Sequence, residues 1–253
     1  MFVVKIGGNE IDDPEFIDRL GEAIAALTVP VIIVHGGGKE IRELQTQLGV
    51  QPQYISGLRV TDVASLDIVK MVLAGRVNKR LVSALLLAGV DAFGMSGVDR
   101  ACLKAVKLEH PDGDLGLVGR VVEVRTEVFT RLLDDGSVPV LSPICYGPDG
   151  STFNVNADHV AQAIAIALRA ELLVFVSNVP GVLREGSLLP QLTAAEVTQL
   201  IADQVITDGM IPKVQSATQA VEGGVAAVRI TNLAGLKAGT GTTIMPTTEL
   251  TIE

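Results

Sequence analysis

Five short runs rich in Val, Ile and Leu, at residues 2 to 6, 31 to 35, 138 to 141, 172 to 177 and 225 to 230, alternate with segments of helical pattern. Runs without an in-and-out alternation of apolar and polar residues belong to strands covered on both faces. Strands separated by helices are joined by crossovers and so pair in parallel. The chain is therefore expected to form an α/β three-layer sandwich with an open, mostly parallel central sheet. No linker, internal repeat or low-complexity tract divides the 253 residues, which predicts a single domain over 1–253. Two lobes, if present, share that sheet.

Punctuation refines the picture. Asp13-Pro14, Thr61-Asp62 and the capping-box spacing Thr193 to Glu196 mark helix starts, and Gly89 is a natural stop for one long helix from about 62 to 88. Between residues 101 and 124 the cluster His110-Pro111-Asp112-Gly113-Asp114 separates two strand-like runs, which predicts a β-hairpin inserted over an edge of the sheet.

Composition excludes several classes. The chain is 48% hydrophobic with 26 glycines and 3% aromatic residues, a mixture for a Val, Ile, Leu and Ala core rather than for disorder. A net charge of -9 with no run of Lys or Arg argues against nucleic acid. Residues 81 to 90 are too short to cross a membrane, and Gln162, Arg169 and Glu171 interrupt 160 to 176. The start Met1-Phe2-Val3-Val4-Lys5 lacks the features of a secretory signal, so a cytoplasmic location is expected. Cys102 and Cys145 have no metal-ligand or redox spacing and read as plain thiols.

Five constellations could carry chemistry. In Lys5-Ile6-Gly7-Gly8-Asn9 a strand ends in a cation and two glycines whose amides could approach an anion, although a strand-end lysine before an ordinary turn has the same appearance. His35-Gly36-Gly37-Gly38-Lys39-Glu40 repeats the pattern and opens a helix, and two such junctions favour phosphate. His35 has no partner at metal spacing and is expected to be a packed structural histidine. Gly57-Leu58-Arg59-Val60-Thr61-Asp62 offers a guanidinium fork for a carboxylate, or a surface salt bridge. Asn154-Val155-Asn156-Ala157-Asp158 could bind polar groups of a substrate or simply cap a helix. In Asp208-Gly209-Met210-Ile211-Pro212-Lys213 a lysine sits near a helix N-terminus, where it opposes the dipole and calls for an anionic partner. A P-loop is absent, and Gly36-x-Gly38-x-x-Ile41 lacks the third glycine of a dinucleotide fingerprint.

Taken in order, KIGGN, VHGGGKEI, GLRVTD, FNVNAD, SNVPGVL and DGMIPKV resemble the acetylglutamate kinases within the amino-acid kinase family, over about Lys5 to Ile244. The glycine motifs are common to carbamate kinase, aspartokinase, glutamate kinase and uridylate kinase, whereas GLRVTD, NVNAD and GMIPK narrow the likeness. The resemblance implies phosphorylation of the side-chain carboxylate of N-acetyl-L-glutamate by ATP with Mg²⁺, an early step towards arginine, with no protein ligand to the metal. It implies catalytic roles for Lys5 and Lys213 beside the transferring phosphoryl group, with Asp158 organising them. The acyl amino acid would be held by Gly36, Gly37, Arg59, Asn154 and Asn156. ATP would be held by Gly7, Gly8, Ser177, Asn178, Val179, Gly181, Gly209 and Met210, with Gly37 adding an amide to the phosphate. The acyl-amino-acid lobe would cover about 1–170, the nucleotide lobe about 171–253, and the 101–124 hairpin would act as a lid. Asn178 stands where most acetylglutamate kinases have Asp, a form shared with kinases of carrier-bound aminoadipate or glutamate. That enzyme and a non-catalytic sensor on the same fold are the alternatives. A first strand at residue 2, with no helix before it, implies an arginine-insensitive homodimer, with the 62–88 helix as a candidate dimer face. The chemistry fits the residue inventory. A carboxylate with pKa about 4.3 is already ionised at pH 7 and needs no general base, so positioning and charge stabilisation must supply the catalysis.

Overall fold

The computed structural model of the chain describes residues 1–8 and 10–246; Asn9 of the first glycine motif and residues 247–253 lie outside the described residues. β1 (Phe2–Ile6) passes through α1 (Pro14–Ala25) to β2 (Val31–His35) and α2 (Gly38–Gln47). A small hairpin, β3 (Tyr54–Ile55) and β4 (Leu58–Arg59), precedes α3 (Val63–Lys70), a π-helical segment Met71–Val77 and α4 (Asn78–Leu87). Next come β5 (Ala92–Ser96), β6 (Leu103–Lys107), β7 (Val118–Val124), α5 (Thr126–Asp134), β8 (Val138–Ser142), β9 (Ile144–Tyr146) and β10 (Thr152–Val155). They are followed by α6 (Ala157–Ala167), β11 (Leu172–Val176), β12 (Leu183–Arg184), β13 (Ser187–Leu188), β14 (Gln191–Thr193) and α7 (Ala194–Ala202). The chain closes with α8 (Met210–Glu222), β15 (Val228–Thr231), α9 (Leu233–Ala238) and β16 (Thr242–Met245).

Eight strands form the central sheet in the order β14-β16-β15-β11-β1-β2-β8-β5. Every pair is parallel except β15 with β16. Each apolar run predicted to be a strand contains one, although the last starts at Val228 rather than 225, and the reason is visible in their side chains. Val3 of β1 packs with Ile32 and Val34 of β2 in one core beneath α6 and α8, whereas Val4, Ile6, Val31 and Ile33 enter the other beneath α1, α3 and α4. Both faces are dry, as continuous apolar strands require. Asp13 caps α1, Asp62 caps α3, and Thr193 with Glu196 completes a capping box on α7.

Two expectations are refined. The helix over 62–88 is continuous, but its middle is a π segment rather than α-helix, and this places Leu73 and Val77 against Gly37. The hairpin over 101–124 exists as β6 and β7, yet it is not a free arm. It closes a small four-stranded barrel with β9 and β10, and its Leu103, Ala105 and Val118 are buried. Those apolar residues need a partner sheet, and from this barrel Val118 of β7 lines the inner part of the adjoining cleft. The tip of β6–β7 supports the β3–β4 hairpin, through Ser56 Oγ to Asp112 Oδ2 at 2.6 Å and through the pairing of Thr61 with Gly116. The β3–β4 hairpin fringes the same cleft through Tyr54, Gly57, Leu58 and Arg59.

Candidate active site

Strand order reverses at β1, where β2 leads to one side of the sheet and β11 to the other. Open α/β sheets bind ligands in the crevice beyond the carboxyl ends of strands at such a switch point. Ile6, His35 and Val176 stand in register there. One residue earlier on β1, Lys5 Nζ lies 2.9 Å from Asp158 Oδ1 and 5.8 Å from the centre of the Phe175 ring. Asp158 is placed by α6, whose N-cap Asn156 accepts the Asp158 amide at 2.7 Å. The capping reading of that motif holds, since Asn156 caps the helix, and the same turn directs the Asp158 carboxylate onto Lys5.

The two glycine junctions meet backbone to backbone. A Cβ added to Gly8 would sit 2.8 Å from the amide nitrogens of Gly37 and Gly38, and one on Gly37 would sit 2.6 Å from Leu73 Cδ2. Gly37 leaves α2 without a side-chain cap, so its first amides are free donors at the positive end of the helix dipole. His35 holds this junction from behind. Its ring is fully buried, Nδ1 lies 2.9 Å from the Gly36 carbonyl, and Nε2 faces the Asn78 amide nitrogen at 3.1 Å. Because that amide also donates to the Val140 carbonyl, Nδ1 carries the ring proton and Nε2 accepts. Burial pushes the His35 pKa down to about 4, against the opposing hydrogen bond to Gly36, so the ring is neutral at pH 7.

Arg59 is held as a pre-set fork. Its guanidinium donates to Gln45 Oε1 and to the Gly38 carbonyl at 2.9 Å, and it stacks 4.9 Å from the Tyr54 ring centre. Gln45 is fully buried and donates to Ser65 Oγ at 3.0 Å. Two of the five guanidinium N–H groups are thus engaged with protein, and enough remain for a bidentate carboxylate. Asn154, on β10, is tied through Nδ2 to Thr61 Oγ1 at 3.1 Å.

These groups line one cleft with two connected parts. The inner part, about 260 Å³, contains all five residues expected to hold the acyl amino acid: Gly36, Gly37, Arg59, Asn154 and Asn156. The outer part, about 420 Å³, adds Gly7, Ser177 and Lys213, and the two share Lys5, Gly8, Gly38, Tyr54, Arg59 and Asp158. Lys213, in the first turns of α8, reaches Asn178 Oδ1 at 3.4 Å. Of the remaining residues assigned to ATP, Asn178 faces an adjoining cavity of about 380 Å³ bounded by Glu10, Asp13 and Asn232. Val179, Gly181, Gly209 and Met210 line neither part of the cleft. Gly181 occupies a turn at φ +145° packed against Thr242, and Met210 rests on the core.

Sequence reasoning missed Lys39, Arg42, Tyr54 and Glu10, which also line the outer part. A signal existed for two of them, since Lys39 and Arg42 are three apart on the helix that opens at the glycines and share its face. Lys5, Lys39, Arg42, Arg59 and Lys213 oppose only Glu10 and Asp158 in a chain of net charge -9. A positive cleft in an acidic protein selects anions. Among the described residues, no group of three or more His, Cys, Asp or Glu could hold a metal ion.

The model of the Amino acid kinase family matches residues 1–232. A curated relative from Roseiflexus sp. (strain RS-1), named acetylglutamate kinase, is 53% identical over 243 residues, covering 96% of this chain and 92% of its own. Among solved structures, smu.665 from Streptococcus mutans UA159 superposes with a TM-score of 0.79 at 34% identity, covering 96% of this chain and 98% of that one. N-acetylglutamate synthase from Neisseria gonorrhoeae, complexed with coenzyme A and N-acetyl-glutamate, gives a TM-score of 0.82 at 27% identity over 98% of this chain and 60% of that one.

Proposed function

The chain belongs to the amino acid kinase family, and from that premise we propose that it phosphorylates the side-chain carboxylate of N-acetyl-L-glutamate with ATP, on the route to arginine. The observation that carries this reading is the two-part positive cleft, in which a compartment with Arg59 and Asn154 opens onto the lysines and glycine amides. The inner part accepts the acyl amino acid, with its α-carboxylate on Arg59 and its acetamido group at Asn154. The acceptor carboxylate then points outward, past Asp158 and Lys5, towards the phosphates.

The attacking oxygen is already anionic, so no residue need remove a proton. The obstacle is the approach of two anions, and the residues answer it with charge. Lys5, steadied by Asp158, and Lys213, at Asn178, flank the transferring group, while the amides of Gly8 and of α2 meet its oxygens. Lys5 is held by Asp158 and the amides by the backbone before the substrate arrives, and such preorganised donors act effectively on developing charge. The cleft's carboxylates are Glu10 and Asp158, and Asp158 is already paired with Lys5. That donor set suits a Mg²⁺ ion carried on the nucleotide's own oxygens with retained waters, where it would neutralise phosphate charge. No helix among the described residues is long and apolar enough to cross a membrane. A cytoplasmic homodimer completes the proposal, with Val63, Met71, Leu86 and Leu87 exposed along the long helix as its contact face.

The test is an ATP-dependent hydroxamate assay, in which hydroxylamine traps an acyl phosphate. N-acetyl-L-glutamate, glutamate, aspartate and bicarbonate are compared as acceptors. A strong signal with acetylglutamate alone is expected. Silence with all four would defeat the proposal and move the reading to a carrier-bound acceptor or a sensor.

A further inference from the structure

Beside the two glycine junctions, outside the lining of the cleft, lies a charged cluster that the chemistry above does not use. Glu40, in the first turn of α2, is only 4% exposed. One of its carboxylate oxygens accepts a hydrogen bond from Arg80 of α4, and the other lies 2.9 Å from Nε of Arg76 of the π segment as an ion pair. The Arg80 Nη2 also donates to the Ile11 carbonyl at 3.1 Å, at the end of the loop that leaves β1. Next to Ile11, Asp12 faces Glu40 and pairs with Lys39 at 3.3 Å. The Arg80 guanidinium, beside the Asp12–Lys39 pair, therefore bridges the loop carrying Gly7 and Gly8 and the helix opened by Gly37 and Gly38. Glu40, Arg76, Arg80 and Asp12 line neither part of the cleft.

Such a cluster is a poor way to gain stability. Taking a carboxylate and a guanidinium out of water is expensive, and well-packed apolar residues commonly stabilise as much or more. What an apolar pair cannot do is hold two separate backbone segments at a set distance through directed hydrogen bonds. Among the described residues the two junctions also meet through backbone, with Gly8 against the amides of Gly37 and Gly38 and the Gly36 amide on the Ile6 carbonyl at 3.1 Å. Their amides must nonetheless converge on the same phosphate oxygens.

We infer that Glu40 and Arg80 are positioning residues for phosphoryl transfer, which set the spacing between the two glycine junctions without touching either substrate. The inference rests on the kinase reading for its consequence in turnover, though not for the clamp itself. A misplacement of about 1 Å in a catalytic array costs on the order of 100-fold in rate. Arg80→Met and Glu40→Gln should therefore lower kcat by about 10- to 100-fold while the KM for acetylglutamate stays within about threefold. Arg80→Lys should recover little, because Nη2 makes both contacts and lies one atom further along the side chain than a lysine ammonium reaches.

The experiment measures kcat and KM by the hydroxamate assay well below the melting temperature of each variant, with amide hydrogen exchange of segments 6–13 and 36–42 alongside. Faster exchange in both segments of Arg80→Met and Glu40→Gln, with the fall confined to kcat, is the expected result. Turnover within threefold of the parent in either folded variant would overturn the inference, as would unaltered exchange in the two segments. Should the parent make no hydroxamate with any acceptor, the kinase reading fails, and the exchange data decide the clamp alone.

Discussion

His35 makes the glycine junction dependent on pH, and the size of the effect follows from its burial. In the unfolded chain the ring titrates near its ordinary 6.5, whereas in the folded protein burial pushes it down to about 4. Between those values the unfolded chain binds a proton that the folded protein refuses, so stability falls as pH drops through that window. The contribution is fully present above about pH 6.5 and lost towards pH 4. At about 1.4 kcal/mol per unit, the whole loss is about 3 kcal/mol, a large share of the roughly 5–15 kcal/mol that keeps a domain folded. The perturbation is His35→Asn, which keeps a side-chain amide to meet the Gly36 carbonyl but cannot titrate. It also takes the Nε2 acceptor from Asn78, so at pH 7.5 the variant should be less stable than the parent by about 1–2 kcal/mol. Urea unfolding followed by circular dichroism from pH 8 to pH 4 gives both curves, and carboxylates common to the two proteins cancel on subtraction. The parent should lose about 3 kcal/mol more than the variant over that range. Parallel curves would show that His35 is not held neutral and would refute both the tautomer and its role behind Gly36.

The remaining predictions concern the cleft. Lys5→Ala and Lys213→Ala should each reduce kcat by about 100- to 1,000-fold with little change in KM, as expected when a donor acts on charge that develops in the transition state; steady-state kinetics decides, and a raised KM with normal kcat would contradict the role. Arg59→Lys should raise the KM for acetylglutamate by about 10- to 100-fold at near-normal kcat, because one point charge replaces a bidentate contact worth about 1.5–3 kcal/mol. Gln45→Ala should move the same KM in the same direction by less, since it loosens Arg59 without removing it; an unchanged KM would detach Gln45 from substrate recognition.

What could be read without coordinates was local. Runs such as Phe2 to Ile6 and Val31 to His35 are apolar at every pitch of a strand, and only a sheet covered on both faces hides all of those side chains. Lys5, Lys213 and the paired glycines pointed to an anion site, and they do line one positively charged cleft, because residue type and position at an element's end carry that chemistry by themselves. Asp13, Asp62 and Thr193 likewise announced helix starts through bonds spanning two or three residues. β5 was invisible, since Ala92-Phe93-Gly94-Met95-Ser96 has neither β-branched residues nor a clean alternation. The closure of β6 and β7 with β9 and β10 depends on pairs such as Lys104 with Tyr146, which no local pattern encodes. The same holds for Gln45 on Arg59, 14 residues apart, and for Glu40 on Arg80, 40 residues apart. Local spacing determined the strands, the caps and the identity of the reactive groups, because backbone geometry relates neighbours by a fixed pitch. Which distant side chains hold those groups in place was decided only by tertiary packing, because the distance between residues far apart in the chain is set by the folded core and by nothing shorter in range.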